Sequence, residues 1–199
     1  MKPYKTLSSR IAWSCPWYSV RQDEIELPNG ETGIYNTVIK EAAVWIVPVT
    51  ADGEIILLRQ YRYTVDDWCW EIPAGTKKPE QNLEEAARAE LQEETGGIPA
   101  NLDYIGQFYL ANGICNEIGH IFLATGVQIG PTAHEPTEVI TVHTFAIDEL
   151  FRMARAGEIT DGPSALALFL CEGQLTRLTV KGTVHRALTI NPQPRGQTP

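Results

Sequence analysis

The sequence W-E-I-P-A-G at residues 70–75 and the sequence L-E-E-A-A-R-A-E-L-Q-E-E-T-G-G at residues 83–97 decide how this chain folds. The first segment has the pattern of a strand that ends in a turn, and the second has the pattern of a helix. Asn82 is suited to cap the start of this helix, and Gly96 is suited to end it in a left-handed conformation. A strand, a loop and a helix are therefore predicted here.

Three glutamates share one face of the predicted helix, because Glu90, Glu93 and Glu94 stand at positions i, i+3 and i+4. Like charges at this spacing destabilise an isolated helix by about 0.2–0.5 kcal/mol per pair, so a cation between them would be stabilising. Carboxylate oxygens prefer Mg²⁺ or Mn²⁺, whereas zinc prefers histidine and cysteine. A solvated acidic face is the alternative, but the Pro-Ala-Gly turn at a fixed distance before the helix favours a metal site.

These residues resemble the Nudix box, G-x5-E-x7-R-E-U-x-E-E-x-G-U, in which U is an apolar residue. Gly75 stands at the first glycine of the box, and Glu90, Glu93, Glu94 and Gly96 fall in register with its second half. The resemblance extends over about residues 17–170. It points to the branch that includes ADP-ribose pyrophosphatases and nucleotide-sugar pyrophosphatases.

Three positions depart from the box. Gln81 replaces the first glutamate, Ala89 replaces the arginine before Glu90, and Gly97 replaces the last apolar residue. Arg88 lies about 100° around the helix from position 89, so it is poorly placed to substitute for the missing arginine. Gln81 keeps the shape and the carbonyl of a glutamate without its charge.

The order of predicted strands and helices indicates an α/β (α+β) fold in which helices cover a mixed sheet. The resemblance implies the Nudix α/β/α sandwich, preceded by an accessory β-hairpin. We predict an N-terminal arm with accessory strands over residues 1–40 and a Nudix hydrolase domain over residues 41–173. A C-terminal tail over residues 174–199 follows, with its end disordered.

Several local predictions accompany this division. Residues 1–14 are expected to form a loosely held arm, and Pro-Asn-Gly at residues 28–30 predicts the hairpin turn. A helix is predicted to start near Asp161, with proline in its first turn. A strand is predicted over residues 176–183, and disorder over the proline-rich residues 191–199.

The composition is that of an ordinary globular protein, with 43% apolar and 21% charged residues among 199. The net charge of −9 argues against a broad surface for nucleic acid or for an anionic membrane. The four cysteines are widely scattered and predict reduced thiols in a cytoplasmic protein rather than disulfides or a zinc site. We find no segment with the pattern of a signal peptide or membrane span.

The resemblance implies a metal site and a general base. Glu90 and Glu94 are expected to bind Mg²⁺ or Mn²⁺ together with the backbone carbonyl of Ala74. Glu93 is expected to act as a further ligand or as a base. In this branch the base can also come from a mobile loop, and Glu138, followed by Glu135, occupies the matching region. Exposed loop acids without a catalytic role are the alternative for both.

The resemblance also implies substrate contacts. Arg62 matches an arginine that contacts phosphate or the terminal sugar, with a surface ion pair as the alternative. Glu117 matches an acid that lines the substrate pocket. Aromatic residues more often belong to a core, but three of them are candidates for stacking on the base: Trp17, Tyr35 and Trp68. In this branch the N-terminal strands exchange across a homodimer, which leads us to expect a dimer formed through residues 17–39. A hairpin that only caps its own domain is the alternative.

The function implied by the resemblance is Mg²⁺-dependent hydrolysis of ADP-ribose or a similar nucleoside diphosphate sugar, giving a nucleoside monophosphate and a sugar phosphate. Another diphosphate, such as GDP-mannose, is a second candidate substrate. A module that binds or senses a nucleotide sugar with little hydrolysis is the alternative, supported by Gln81 and Ala89. The three retained glutamates oppose that alternative, because a pure binder has no need for their clustered charge.

Overall fold

The structure is a computed structural model that describes the backbone of residues 2–133 and 139–188, and the side chains within these ranges as far as residue 178. An N-terminal sheet contains β1 (Lys5–Ser14), β2 (Ser19–Glu26) and β3 (Thr32–Ile39). The central sheet contains β4 (Ala43–Thr50), β5 (Glu54–Arg62), β6 (Asp67–Glu71), β7 (Ala74–Thr76), β8 (Asn101–Tyr109), β9 (Ile118–Val127) and β10 (Ile140–Ala146). The helices are α1 (Leu83–Thr95), α2 (Ile147–Arg155) and α3 (Gly162–Leu188).

The central sheet is mixed, as the sequence predicted. Its strands follow the order β10-β5-β4-β9-β8, with β6 paired to β5 and β7 paired to β4. Strands β4 and β9 are parallel, and the other pairings between described strands of this sheet are antiparallel. One apolar cluster joins the sheet to α2 and α3, and a second joins it to α1. The predicted α/β/α sandwich is therefore confirmed.

Strand β4 lies at the centre of this sandwich because both of its faces are apolar. Successive side chains of a strand point to opposite faces. Trp45 and Val47 accordingly pack in the cluster with α2 and α3, whereas Val44 and Ile46 pack in the cluster with α1. A polar residue at either set of positions would face a core, so the alternation fixes the strand between the two helical layers.

Helix α1 forms as the sequence predicted. Asn82 Oδ1 accepts a hydrogen bond from Glu85 N at 2.9 Å, and Glu85 Oε2 accepts one from Asn82 N at 2.8 Å, which completes a capping box. Gly96 ends the helix with φ of 67°, in the left-handed region that glycine tolerates. Ala87 and Leu91 are fully buried against the sheet. With these residues against the sheet, Glu90 and Glu94 on another face of α1 contact β7.

The N-terminal residues form a strand, so the prediction of a loose arm over residues 1–14 is wrong. Strand β1 pairs with β2 from Lys5 opposite Glu26 to Ser14 opposite Ser19. All ten residues of β1 are exposed, so this strand lacks the burial against a core that stabilises most strands. Polar cross-strand bonds replace it, such as that from Ser9 Oγ to Asp23 Oδ1 at 2.7 Å.

The predicted hairpin between β2 and β3 is confirmed. Its turn is closed by a hydrogen bond from Gly30 N to Leu27 O at 2.9 Å, and Gly30 has φ of 85°. This left-handed conformation explains why glycine follows asparagine in the turn. The accessory hairpin of the prediction is thus two strands of a three-stranded sheet.

Helix α3 starts where the sequence predicted, near Asp161, but it continues to Leu188. The strand predicted over residues 176–183 is therefore wrong. Leu175 is fully buried, and Leu178 packs against the same cluster, so tertiary packing outweighs the local strand pattern. The disorder predicted for residues 191–199 lies outside the described residues. No helix in the described part of the chain is both long and apolar enough to span a membrane.

Candidate active site

A cleft of about 930 Å³ opens beside the start of β4. Ala74 and Gly75 of β7 contribute to its lining. Five charged residues from five other segments also line the cleft: Lys40, Arg62, Glu71, Glu117 and Asp161. The residues that line this cleft therefore come from widely separated parts of the sequence, which only the fold brings together.

Two glutamates of α1 contact β7, which contributes to the cleft lining. Ala74 N donates a hydrogen bond to Glu94 Oε2 at 2.9 Å, and Glu94 is buried. The Glu90 carboxylate packs directly on Gly75, where a Cβ atom would overlap it. The glycine of the Pro-Ala-Gly turn is thus required by the close approach of a helix side chain. Both glutamates that the sequence assigned to metal binding therefore contact β7, Glu94 at Ala74 and Glu90 at Gly75, and their role as ligands stays a prediction.

Glu93 has a different environment on the same helix. It is exposed, and its Oε1 lies 3.9 Å from Lys78 Nζ. In the described part of the chain, no group of three or more His, Cys, Asp or Glu side chains is arranged to hold a metal ion. Glu135 and Glu138, the two candidate loop bases, lie outside the described residues. Their roles and that of Glu93 stay predictions.

The residues present nevertheless fit a divalent cation of the hard type. Glu90 and Glu94 offer carboxylate oxygens, which Mg²⁺ and Mn²⁺ prefer as ligands. Gly75 leaves space for the Glu90 carboxylate, and the hydrogen bond from Ala74 orients that of Glu94. Among the described residues that line the cleft, Cys69 is the one cysteine, and there is no histidine. These oxygen donors therefore suit a hard divalent cation better than zinc, which prefers histidine and cysteine.

The departures from the box have structural explanations in two of three cases. Gln81 Oε1 accepts a hydrogen bond from Lys78 N at 3.0 Å, so its carbonyl closes the loop before α1 as a glutamate oxygen would. A Cβ atom on Gly97 would lie 2.6 Å from Thr95 Oγ1, so there is no room for an apolar side chain. The third departure, Ala89, has no such explanation. Arg88 pairs with Glu84 at 2.9 Å, so it does not take the place of the arginine that the box has at position 89.

Arg62 lines the cleft and forms a bidentate ion pair with Glu71. Arg62 Nε donates to Glu71 Oε1 at 2.8 Å, and Nη2 donates to Oε2 at 2.5 Å. These hydrogen bonds are the largest cause that raises the pKa of Arg62, and the charges of Asp161 and Glu94 act in the same direction. The pair with a buried carboxylate holds the guanidinium in one orientation. Sequence analysis missed Glu71, although a lone acid among apolar residues was a usable signal.

Glu117 lines the cleft on the side of β9 and is almost fully buried at 1% exposure. Lys40 Nζ lies 2.9 Å from each carboxylate oxygen, and the hydrogen bond is directed to Oε1. Oε2 contacts the same ammonium without the geometry of a hydrogen bond, and it accepts no hydrogen bond from the described residues. Sequence analysis identified Glu117 but not Lys40, because nothing in the local pattern indicates which cation a distant acid binds.

The loop that precedes Glu117 is attached to β3. Val38 N donates to Ile114 O at 2.7 Å, and Asn116 N donates to Val38 O at 3.2 Å. Tyr35 Oη donates to Gly113 O at 2.7 Å, so this aromatic residue has a structural contact with the loop. Strand β3 therefore fixes one wall of the cleft.

Trp17 is not brought to the cleft of its own chain. It lies in the connection between β1 and β2, is 78% exposed, and does not contribute to the cleft lining. Its stacking role stays a prediction.

Asp161 and Ser164 attach the start of α3 to the turn that precedes β7. Ser164 Oγ donates to Asp161 Oδ2 at 2.5 Å and accepts from Ile72 N at 3.0 Å. Ser164 is fully buried, so this relay holds the backbone just before Ala74. The sequence indicated Asp161 only as a helix start.

Comparison with known proteins agrees with this geometry. The family described as NUDIX domain matches residues 39–166, and the family described as Nucleoside diphosphate sugar hydrolase N-terminal domain matches residues 4–38. The chain is 30% identical over 166 residues to the ADP-ribose pyrophosphatase of Bacillus subtilis, covering 82% of this chain and 90% of that protein. It is 31% identical over 162 residues to the ADP-ribose pyrophosphatase of Mycobacterium tuberculosis, covering 79% of this chain and 78% of that protein.

A solved structure, described as an ADP compounds hydrolase, has the same fold. It matches with a TM-score of 0.79 at 20% identity, over 89% of this chain and 96% of that chain. The family matches and the sequence relatives lead to the same conclusion. The chain belongs to the Nudix hydrolases, enzymes of nucleoside diphosphate hydrolysis, within the branch that includes the ADP-ribose pyrophosphatases.

Proposed function

We propose that this enzyme hydrolyses the pyrophosphate bond of ADP-ribose or a related nucleoside diphosphate sugar, giving a nucleoside monophosphate and a sugar phosphate. The observation that carries the proposal is the contact of Glu90 and Glu94 with β7 at the cleft. The cleft volume of about 930 Å³ is large enough for one such ligand, since small-molecule sites span about 300–1,000 Å³. The two relatives named as ADP-ribose pyrophosphatases support adenosine as the nucleoside.

The cofactor in this proposal is Mg²⁺ or Mn²⁺, with Glu90, Glu94 and the carbonyl of Ala74 as ligands. When bound, such an ion screens the phosphoryl charge and acidifies a bound water molecule. The chain itself orients the carboxylates: Ala74 N–H fixes Glu94, and Gly75 admits Glu90. These contacts support the assignment because they hold two anionic side chains beside a substrate cleft.

The general base in this proposal removes a proton from the water that attacks phosphorus. Glu138, Glu135 and Glu93 are the three candidates, and Glu93 is also a candidate ligand. The exposure of Glu93 suits a group that exchanges protons with solvent. Replacing each of them singly with glutamine tests the assignment. The base is the residue whose loss lowers kcat most and removes the acidic limb of the pH–rate profile.

For substrate binding we propose Arg62, Glu117 and Trp17. Arg62 is preoriented by Glu71, which supports a directed contact with a phosphate oxygen. Glu117 lines the cleft and pairs with Lys40, which supports its proposed place in the substrate pocket. Trp17 is proposed to stack on the base in the site of a partner subunit.

A homodimer formed through the N-terminal sheet completes the proposal, with residues 1–40 as the dimer-forming part. Its support is the exposure of large apolar side chains on this sheet and its β1–β2 connection, namely Ile11, Trp13, Trp17 and Ile34. Light scattering at micromolar concentration is expected to give twice the mass of one chain. A monomer at that concentration would remove the shared site from the proposal.

We propose a cytoplasmic location for the enzyme, on the basis of its cysteines. All four are free thiols, and Cys69 and Cys171 are buried. Free thiols are the ordinary state in a reducing compartment.

Turnover by the purified chain with Mg²⁺ tests the function directly. We expect AMP and ribose 5-phosphate from ADP-ribose, identified by chromatography, and slower product formation from GDP-mannose, UDP-glucose and NADH. Binding of ADP-ribose without product from any of the four would contradict the proposed reaction and favour a binding or sensing role. In that case, hydrolysis gained by a variant with glutamate at position 81 and arginine at position 89 would identify the two departures as the cause of the missing activity.

A further inference from the structure

The Lys40–Glu117 pair lies on the β9 side of β4, and the Arg62–Glu71 pair lies on its other side, toward β6 and β7. Ala43 of β4 pairs with Gly119 of β9 on one side and with Thr76 of β7 on the other. Glu117 directly precedes β9, whereas Glu71 ends β6, the strand that leads into β7. The two cations therefore lie on opposite sides of β4, and β7, which contacts Glu90 and Glu94, lies on the side of Arg62.

The ammonium group of Lys40 is held at a fixed place in this cleft. Lys40 N donates to Asn116 Oδ1 at 2.9 Å, so the backbone is anchored to the loop before β9. Its side chain is 28% exposed, and its Nζ lies 2.9 Å from both Glu117 oxygens. An ammonium carries three N–H donors. The described hydrogen bonds use one of them, toward Glu117 Oε1.

Neutralising the buried Glu117 carboxylate is the simplest role for Lys40. Two further observations favour a role toward substrate. Among the described residues that line the cleft, Lys40 and Arg62 are the cationic ones. A diphosphate carries charge on two phosphoryl groups, and Arg62 stands on the β7 side of β4, whereas Lys40 stands on the β9 side.

We propose that Lys40 is a substrate-binding residue, which donates a hydrogen bond to the phosphoryl group farther from Arg62. The inference rests on the proposed function, since it requires a diphosphate in the cleft. Glu117 then has a second role, which is to hold the Lys40 ammonium in position before substrate arrives. A pyrophosphate bound at Glu90 and Glu94 has one cation for each phosphoryl group.

The test measures binding rather than turnover. A methylene-bridged analogue of ADP-ribose, which is not hydrolysed at the bridge, is titrated into the native chain and its variants by calorimetry with Mg²⁺ present. We expect Lys40→Met to raise Kd about 10-fold to 100-fold, the range for a lost charge-assisted hydrogen bond. Lys40→Arg, which retains the charge and donors, is expected to recover most of the affinity.

A double substitution separates a substrate contact from charge compensation of Glu117. If Lys40 contacts the analogue, Lys40→Met raises Kd in the Glu117→Gln background as well. If Lys40 acts only through Glu117, its replacement has no effect in that background, and the proposal is overturned. Arg88→Met removes one positive charge from the outer face of α1, where Arg88 pairs with Glu84, and is the matched control with unchanged Kd.

The outcomes also separate this inference from the proposed function. If the native chain binds the analogue and releases AMP from ADP-ribose while Lys40→Met leaves Kd within about twofold, only the role of Lys40 fails. If the native chain does neither, the proposed function fails and the role of Lys40 fails with it. Thermal melting of each variant shows whether a raised Kd results from loss of folding. If Lys40→Met does not fold, the Kd of Lys40→Arg is compared with that of the native chain instead.

Discussion

The Glu90 carboxylate occupies the space that a side chain at Gly75 would fill. Helix α1 and strand β7 thus meet at a contact between the Glu90 carboxylate and the backbone of Gly75, which carries no side chain. This contact links the fixed spacing between the two residues in the sequence to the metal chemistry proposed for the cleft. A change at position 75 should accordingly affect the carboxylate more than the fold.

Gly75→Ala is expected to displace the Glu90 carboxylate and to weaken Mg²⁺ binding. Misplacement of a reacting or coordinating group by about 1 Å lowers rates about 100-fold. We expect a loss of kcat of this order and a higher Mg²⁺ concentration at half-maximal rate. Steady-state kinetics over a range of Mg²⁺ concentrations measures both.

Gly106→Ala is the matched control, because a Cβ atom at this position of β8 meets no atom within 4 Å. We expect its kinetics to equal those of the native chain. Equal activity of Gly75→Ala and Gly106→Ala would contradict the proposed role of the Glu90 carboxylate.

Glu94→Gln is expected to abolish turnover and to leave the fold intact. The amide oxygen of glutamine can still accept the hydrogen bond from Ala74 N, but it lacks the charge that holds a divalent cation. Turnover of ADP-ribose and the melting temperature are the two measurements. Glu84→Gln, at an exposed position of the same helix, is the control with full activity. Full activity in Glu94→Gln would remove this residue from the metal site.

Arg62→Lys is expected to raise KM for ADP-ribose about 10-fold with little change in kcat. Lysine keeps the charge but loses the planar fork that binds Glu71 through two hydrogen bonds, so the cation is no longer held in one orientation. Tenfold corresponds to about 1.4 kcal/mol, within the range for a single charge-assisted hydrogen bond. Initial-rate kinetics separates the two parameters.

Arg59→Lys provides the comparison on the same strand. Arg59 lies over the Trp70 ring, with 4.9 Å from its guanidinium carbon to the ring centroid, and does not line the cleft. We expect an unchanged KM for this variant. A KM increase that is equal in both variants would show that strand β5, rather than Arg62, is responsible.

The parts of the fold that could be predicted are those whose residue pattern lies within a single short segment of the sequence. Helix α1 is such a part, since its cap at Asn82, its buried Leu91 and its end at Gly96 are all visible in one short segment. Strand β1 carries no such signal, because its residues are exposed on both faces and its hydrogen bonds come from β2. Its existence depends on a partner strand that the local pattern does not specify.

The candidate site divides in the same way. Glu90 and Glu94 were predicted because their spacing from each other and from Gly75 is fixed by one helix and one turn. Lys40 and Glu71 were not, because each acts through an ion pair whose partner lies in another segment. Pairing across the chain depends on the topology of the sheet, which brings these segments to one end of β4.

The C-terminal half of α3 offers a test of how tertiary packing overrides local pattern. Leu175 lies in the segment that runs on from the predicted helix, yet it is fully buried against the sheet cluster. Leu175→Ala is expected to lower the free energy of unfolding by about 2–5 kcal/mol, as for other buried leucines. Leu170→Ala, on the exposed side of the same helix at 51% exposure, is expected to cost less than about 1 kcal/mol. Urea denaturation of both variants measures the difference. Equal stabilities would mean that this part of α3 does not pack on the core, and the helix would then lack the contacts that explain its length.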